Sequence, residues 1–228
     1  MISFFRFCKI MVNKCFFFVA LFFISSALLA QNAAKPTTSQ VTAIIEKAAQ
    51  KYNALSSFSL DFTVSMEENN KVIQSFKGVL FVKKDKYFLT FEDQIIANDG
   101  KIMWNYQKST NEVTLFEADE DAFSMFHPTK MLNNWEKEYT AKFIREEEFQ
   151  KKRVFVVDLA PKKKSPFYKI RLFIDKTTSY IQQVMMYEME GPTVTYTITK
   201  FTPNVVISDA KFTFDKNEYP GVEVVDMR

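Results

Sequence analysis

Apolar and polar residues alternate along most of the chain, which is typical of strands that bury one face. The first alternating segment spans 57–66, where the apolar positions are Phe58, Leu60, Phe62, Val64 and Met66. Similar segments follow at about 71–82, 87–91, 95–97, 102–106, 113–116, 139–145, 153–159, 168–175, 181–189 and 193–201. The pattern predicts one antiparallel sheet with a solvated side.

Two segments have a helical period instead. The first carries an apolar stripe at Val41, Ile44, Ile45, Ala48 and Tyr52, after the capping-box spacing of Thr37 and Gln40. The second starts near Pro128 and places Met131, Leu132, Trp135 and Tyr139 on one face. We therefore expect a mainly β protein of the α+β class, with two or three helices in a single domain over 37–228.

The N-terminus differs from the rest of the chain. Its first 14 residues include Arg6, Lys9 and Lys14 but no acid, 15–24 is almost entirely apolar, and 25–30 is rich in small residues. This order predicts a signal peptide over 1–30, cleaved after Ala30 and followed by a flexible tail over 31–36. Two alternatives stay open, namely a retained membrane anchor and a true start at Met11.

Cleavage would change the charge and the available chemistry. The signal holds three of the 30 basic residues and none of the 27 acids, so the exported chain is neutral and gives no reason to expect nucleic acid. Both cysteines, Cys8 and Cys15, leave with it. We expect no disulfide, no metal site and no cofactor.

Catalytic motifs are missing from the sequence. The four glycines form neither a phosphate loop nor a nucleophile elbow, and His127 is the single histidine. Acidic runs at 67–68, 119–121 and 146–148 are typical of solvated loops. We expect no enzyme, and an exported hydrolase with a pair of carboxylates is the alternative from a different class.

The apolar strand faces must be covered by their own side chains, by helices or by a ligand. Aromatic stripes usually form protein core, so the pattern alone favours filling by protein. A cavity for hydrocarbon is the sharper alternative, because phenylalanine, methionine and tryptophan are suited to line it.

One hairpin resembles a known family. Asp99-Gly100-Lys101-Ile102-Met103-Trp104-Asn105-Tyr106 is similar to the D-G-K-x-x-W-x-Y signature of the outer-membrane lipoprotein carrier (LolA) family. Further similar segments follow the family order: Ser57-Phe58 with Phe62-Thr63, Gly78 to Lys83, and Lys211 to Phe214 followed by Pro220 to Val224. The resemblance covers nearly all of the chain after residue 30.

This resemblance implies an incomplete antiparallel β-barrel of about eleven strands, with the helices as a lid over an apolar concave face. It implies a non-enzymatic, monomeric periplasmic carrier that sequesters the acyl chains of lipoproteins. Its partners would be acylated lipoproteins, an inner-membrane lipoprotein-releasing ABC transporter and, where one exists, an outer-membrane receptor. A related carrier of another lipid and a sensor with a similar fold are further alternatives.

The strand pattern and the resemblance together select a set of lipid-binding residues: Phe58, Leu60, Phe62, Leu80, Val82, Phe88, Trp104, Met131, Leu132 and Trp135. Family members carry an arginine after the second strand that holds the lid closed. Here the corresponding run is Lys83-Lys84-Asp85, so Lys84 is the expected latch, without the planar donor fork of arginine. The segment from Asp215 to Tyr219 is longer than the family pattern.

Overall fold

The computed structural model of the chain describes residues 38–118 and 128–228, which lie within one compact unit. The predicted signal peptide, the tail over 31–36, the acids at 119–121 and His127 lie outside the described residues. The described residues contain three α-helices: α1 (Thr38–Asn53), α2 (Pro128–Asn133) and α3 (Trp135–Glu138). The strands are β1 (Phe58–Glu68), β2 (Lys71–Lys83), β3 (Lys86–Phe91), β4 (Gln94–Asn98), β5 (Ile102–Gln107), β6 (Glu112–Glu117), β7 (Tyr139–Phe149), β8 (Lys152–Pro161), β9 (Phe167–Asp175), β10 (Ile181–Glu188), β11 (Thr193–Pro203) and β12 (Glu223–Asp226).

The strands form one 12-stranded sheet in the order β12-β6-β5-β4-β3-β2-β1-β11-β10-β9-β8-β7. Two antiparallel meanders, β1–β6 and β7–β11, join where β1 pairs with β11. The short strand β12 adds in parallel to β6, so β12 and β7 are the edges and the sheet does not close into a barrel. The predicted class, an open antiparallel sheet with helices, is confirmed, with one strand more than expected.

The tight hairpin between β4 and β5 forms where the sequence predicts it. Gly100 has a φ of 92°, a left-handed conformation that glycine adopts without strain. The Asp99 carboxylate accepts hydrogen bonds from the backbone N–H groups of Lys101 and Ile102, both at 2.8 Å. The Asp-Gly pair therefore sets the register of β4 and β5.

The second predicted helix is interrupted. The sequence predicts one continuous helix from about Pro128, whereas α2 ends at Asn133 and α3 spans Trp135–Glu138. Tyr139 pairs with Pro161 as the first residue of β7, where the strand over 139–145 is predicted to begin. Asparagine is a weak helix former, and the strand pairing competes for the backbone of Tyr139.

Alternation gives the sheet two different apolar faces. The face that we call helix-covered carries Leu60 and Leu80 and packs against α1, α2 and α3 in the main core. The face that we call outer carries Ile95, Tyr106 and Val113 in a separate cluster. Neighbouring residues of one strand thus belong to different cores.

The C-terminal segment, residues 205–228, covers the outer face of β2–β6. It contains two short 3₁₀ helices, Asp209–Phe212 and Lys216–Glu218, and the first of them contacts β3 and β4. The rings of Phe214 and Tyr219 lie 5.2 and 4.4 Å from that of Tyr106. The segment that resembles the family C-terminus is therefore a structural cover for this face.

Candidate functional site

An apolar cavity of about 60 Å³ lies between the helix-covered face and α2. One group of lining residues comes from β1, β2 and β3, and the other comes from β10 and β11. The lining residues of the two walls are Leu60, Phe62, Leu80, Leu89, Ile181, Val184, Met186, Tyr196 and Ile198. Because β1 pairs with β11, the cavity lies over the junction of the two meanders.

Helix α2 forms one side of the cavity. Pro128 and Met131 contribute to the lining from this six-residue helix, while the neighbouring Leu132 is buried in the same core. An isolated helix of this length is not stable in water, so the position of α2 depends on its packing. The cover of the cavity is thus a short element held by a few side chains.

A glycine in β2 makes room for one wall. Gly78 lies opposite Phe62 on β1, and a Cβ added to Gly78 would stand 2.3 Å from Cζ of the Phe62 ring. The ring therefore lies over the bare backbone of β2, at a distance that no side chain at 78 would permit. Gly78 sets the position of the Phe62 ring beside the cavity.

The cavity is too small to hold a long chain in this structure. An apolar protein cavity of about 150 Å³ stays dry and binds benzene, and drug-sized ligands occupy about 300–1,000 Å³. At about 60 Å³ the space admits no long chain unless α2 or the side chains around it move. Protein fills most of the helix-covered face, as the pattern alone favoured.

The lining is almost free of polar chemistry. Within the described residues, no carboxylate or amine lines this cavity. Its polar group is the Tyr196 hydroxyl, and burial raises the pKa of that phenol from 10.0 to about 12. Such a surface can take up hydrocarbon but offers no general acid or base at neutral pH.

Polar contacts join α2 to α1. The side-chain amides of Asn53 and Asn133 exchange two hydrogen bonds, at 2.9 and 3.1 Å. These amides are exposed, so their contribution is small, in the range of about 0.5–1.5 kcal/mol per hydrogen bond. They link the cover of the cavity to the longest helix.

Helix α1 itself is anchored by aromatic packing. The buried Tyr52 ring contacts those of Phe58, Tyr180 and Phe201 at 5.3 to 5.9 Å, and its hydroxyl accepts a hydrogen bond from the backbone N–H of Ile181 at 3.3 Å. Burial raises the pKa of Tyr52 well above its ordinary value. In this arrangement α1 is the fixed part of the cover and α2 the part with fewer buried contacts.

The expected latch lies beside this cover. Lys84 occupies the turn between β2 and β3 with a φ of 56°. It lines a groove of about 280 Å³ together with Asn53, Thr129 and Asn133. The structure places Lys84 next to both α1 and α2, and its role as a latch stays a prediction.

The predicted lipid-binding residues fall into three groups. Leu60, Phe62, Leu80 and Met131 line the cavity. Phe58, Val82, Leu132 and Trp135 are buried in the same core without lining it. Phe88 and Trp104 lie on the outer face in the second cluster, away from the cavity.

The position of Phe88 and Trp104 departs from the sequence expectation, and alternation explains it. In the register of β2 and β3, Leu80 pairs with Leu89 and Phe81 with Phe88, so Phe88 shares the face of Phe81. The Lys211 ammonium of the C-terminal segment lies 3.9 Å from the centroid of the Phe88 ring, a cation–π contact. Both aromatic residues serve the outer core in this structure.

Sequence reasoning missed seven of the eleven residues that line the cavity. Leu89 was predictable from the sequence, because β2 and β3 form a hairpin in which Leu89 pairs with Leu80 and so lies on the same face. Ile181, Val184, Met186 and Ile198 lie on strands that were predicted, but no local signal shows which of their faces meets β1. The pairing of β1 with β11 determines which of these faces lies beside the cavity. It runs from Phe58 with Pro203 to Glu67 with Thr193.

The hydrolase alternative finds no support around this cavity. Glu146 is exposed on β7, and a hydrogen bond from Lys176 lowers the pKa of its carboxyl. Such a group stays ionised at neutral pH and is a poor general acid. The described residues also contain no group of three or more His, Cys, Asp or Glu that could hold a metal ion.

The fold and the site define a class: an open antiparallel sheet whose helices cover a small apolar cavity. The chain belongs to a family described as "Uncharacterized protein", whose model matches residues 81–206, more than half of the chain.

None of the helices in the described part of the chain has the length and apolarity that crossing a bilayer requires.

Among curated proteins, the chain is similar to the uncharacterized protein MJ0687 of Methanocaldococcus jannaschii. The two are 26% identical over 173 residues, which cover 75% of this chain and 50% of the relative. The chain thus spans about half the length of the curated relative that it matches.

Two solved structures illustrate the structural likeness. An uncharacterized conserved protein from Thermus thermophilus matches with a TM-score of 0.57 and 11% identity, over 83% of this chain and 99% of that one, which shows a shared fold. A LolA superfamily protein from Nitrosomonas europaea matches with a TM-score of 0.42 and 12% identity, over 77% and 98% of the two chains. A score of 0.42 is too low to support a conclusion about function.

Proposed function

We propose that this protein is a non-enzymatic carrier that shelters the acyl chain of a lipoprotein between the helix-covered face and α2. The observation that carries the proposal is the apolar cavity under α2, whose walls come from both meanders. Leu60, Phe62, Leu80 and Met131 would contact the chain once α2 moves. The sequence resemblance to lipoprotein carriers supports the same class of cargo.

The energies permit such an exchange. Burial of a side chain the size of leucine or methionine contributes about 1.5–3 kcal/mol, so undocking Met131 and Leu132 costs about 3–6 kcal/mol. A long acyl chain gains about 0.8 kcal/mol per buried methylene, on the order of 10 kcal/mol in total. The cargo can therefore displace the cover, and the cover can close the empty protein.

The proposal extends to location and partners. An exported protein with this cavity would receive lipoproteins from an inner-membrane lipoprotein-releasing ABC transporter in the periplasm and carry them to the outer membrane. Support comes from the order of basic, apolar and small residues over 1–30 and from the family-like motifs. A related carrier of another lipid would use the same cavity, and mass spectrometry of copurified lipid separates the two.

The direct test is binding of a synthetic lipopeptide with a diacylated N-terminal cysteine. We expect saturable binding and a lipopeptide kept in solution below its aggregation concentration, whereas the same peptide without acyl chains stays unbound. The folded protein is verified by circular dichroism in parallel. Failure of the folded protein to bind any acylated species would refute the proposal.

A second test restrains the cover. Asn53→Cys and Asn133→Cys place two thiols where the amides now meet, and a short bifunctional thiol reagent then ties α2 to α1. We expect the bridged protein to bind the lipopeptide at least about tenfold more weakly than the unbridged double variant. Equal binding before and after bridging would show that α2 does not gate the cavity.

A further inference from the structure

Strand β2 extends well beyond its neighbour β3. It spans Lys71–Lys83, but its pairing with β3 begins only at Gly78. Among the strands of the described residues, β1 is the one that pairs with 71–77. Seven residues of a strand measure about 20 Å, so an internal strand presents a free edge of this length.

The free edge has backbone groups without strand partners. In an antiparallel ladder every second residue directs its N–H and C=O groups away from the existing partner strand. Here these groups point to the space that β3 would occupy if it were longer. A row of alternating donors and acceptors at strand spacing is matched by the backbone of another extended chain and not by hydrocarbon.

The side chains along the edge are unusually apolar for an exposed position. Val72 and Ile73 are 59% and 58% exposed. Phe76 is half-buried and stacks on Phe91, with ring centroids 5.8 Å apart and planes at 27°. Exposed strand edges normally carry devices against pairing. Here these are a bulge at Ile73 and a lysine at each end, Lys71 and Lys77, so a partner strand needs acids opposite the lysines.

A groove lies next to the end of this free edge, where the pairing of β2 with β3 begins. It measures about 500 Å³, and its charged lining residues are Lys77, Lys108, Asp61 and Glu92. Glu92 also reaches the edge, with Oε1 3.5 Å from Nε2 of Gln74. A peptide strand placed along 71–77 would thus end in a cleft of the size that proteins use for ligands.

Charge distinguishes the possible occupants. The segment 71–77 contains two lysines, Lys71 and Lys77, and no acid. Within the described part of the chain neither lysine forms an ion pair, although Lys71 lies opposite Glu68 across the hairpin. Antiparallel self-pairing centred on Gln74 would set Lys71 against Lys77 of a second copy, and like charges directly opposite are unfavourable.

We propose that the free edge of β2 over residues 71–77 binds an extended, acidic peptide segment of another protein by antiparallel strand addition. A carboxylate of the peptide would lie opposite Lys77, and an apolar side chain would pack on Phe76 and Phe91. This peptide site is separate from the cavity under α2 and requires no acyl chain.

The experiment uses the full chain without lipid and two synthetic peptides of about seven residues with alternating valine and threonine. One peptide ends in glutamates and the other in lysines. We expect the acidic peptide to bind more tightly and to slow amide hydrogen exchange at residues 71–77. Lys77→Glu should weaken the acidic peptide about tenfold and strengthen the basic one.

Lys142→Glu is the matched control, since Lys142 is an exposed lysine on the edge strand β7. This variant should leave the binding of both peptides unchanged. Absence of peptide binding, or slowed exchange at β7 instead of 71–77, would overturn the proposal. Slowed exchange at 71–77 that grows with protein concentration in the absence of peptide would assign the edge to a second copy and overturn it as well.

Discussion

The two faces of the β2–β6 sheet are built from alternate residues of the same strands, yet they are covered in different ways. On the helix-covered face, Leu80 and Leu89 lie beside a cavity of about 60 Å³ under a six-residue helix. On the outer face, Phe88 and Tyr106 contact a cation and two aromatic rings of the C-terminal segment.

The difference lies in what secures each cover. The C-terminal segment is held by the fully buried Phe212, by Asp209 paired with Lys83 and Lys86 at 2.8 and 3.2 Å, and by strand β12. Helix α2 depends on a few buried side chains and an exposed amide pair. Apolar surface alone therefore does not identify a binding face, because both faces are apolar and both are covered.

The largest expected effect is on the outer face. Phe212→Ala leaves a void in a fully buried site and should lower the free energy of unfolding by about 3–5 kcal/mol. Urea denaturation measures the loss. Lipopeptide affinity of the folded variant should equal that of the wild type, and a parallel loss of affinity would contradict the separation of the two faces.

Leu89→Ala is the counterpart on the helix-covered face. It enlarges the cavity and should cost about 2–4 kcal/mol of stability. Saturating lipopeptide should restore part of this loss, because an acyl chain fills the added space. The same ligand should restore none of the loss in Phe212→Ala, and equal restoration in both variants would place the ligand elsewhere.

Alkaline pH should act on the helix-covered face. Burial raises the pKa of Tyr196 from 10.0 to about 12, so the unfolded chain loses the proton first as the pH rises. The stabilising contribution is complete below pH 10 and is lost as the pH rises toward 12, by about 2–3 kcal/mol. Unfolding of Tyr196→Phe measured at the same pH values should show a shallower decline; identical slopes would show that this phenol does not titrate differently in the two states.

A substitution at the predicted latch, Lys84, should change the rate of lipopeptide release more than the free energy of unfolding. If Lys84 holds the cover, Lys84→Leu should change the release rate of a lipopeptide while shifting stability by less than about 1 kcal/mol. Lys151→Leu is the control, because Lys151 is an exposed turn lysine with a similar φ of 63° against 56° at Lys84. Equal release rates in all three proteins would exclude a latch at Lys84.

Acid should slightly weaken the attachment of the C-terminal segment to the outer face. Hydrogen bonds from Lys83 and Lys86 lower the pKa of the Asp209 carboxyl below 3.8. The contribution of these bonds is present above the ordinary aspartate pKa and is lost as the pH falls through the lowered value. The protection of C-terminal amides, taken relative to their intrinsic exchange rate at each pH, should therefore fall as the pH drops through this lowered value in the wild type and be low already at neutral pH in Asp209→Asn.

Much of the fold follows from local pattern. Alternation predicts eleven of the twelve strands, because a strand that buries one face needs an apolar residue at every second position. The stripe from Val41 to Tyr52 predicts α1, and Asp99-Gly100 predicts the β4–β5 turn. These signals act over a few residues, so they are visible without any tertiary contact.

The site needed the tertiary structure, because alternation defines two faces without saying what covers either. Leu89 rather than Phe88 lines the cavity because of the register of β2 with β3. Ile198 and Tyr196 reach it because β11 pairs with β1, which is more than a hundred residues away in the chain. Strand pairing over such separations, and the choice of α2 for one face and the C-terminal segment for the other, depend on packing that no short window of sequence contains.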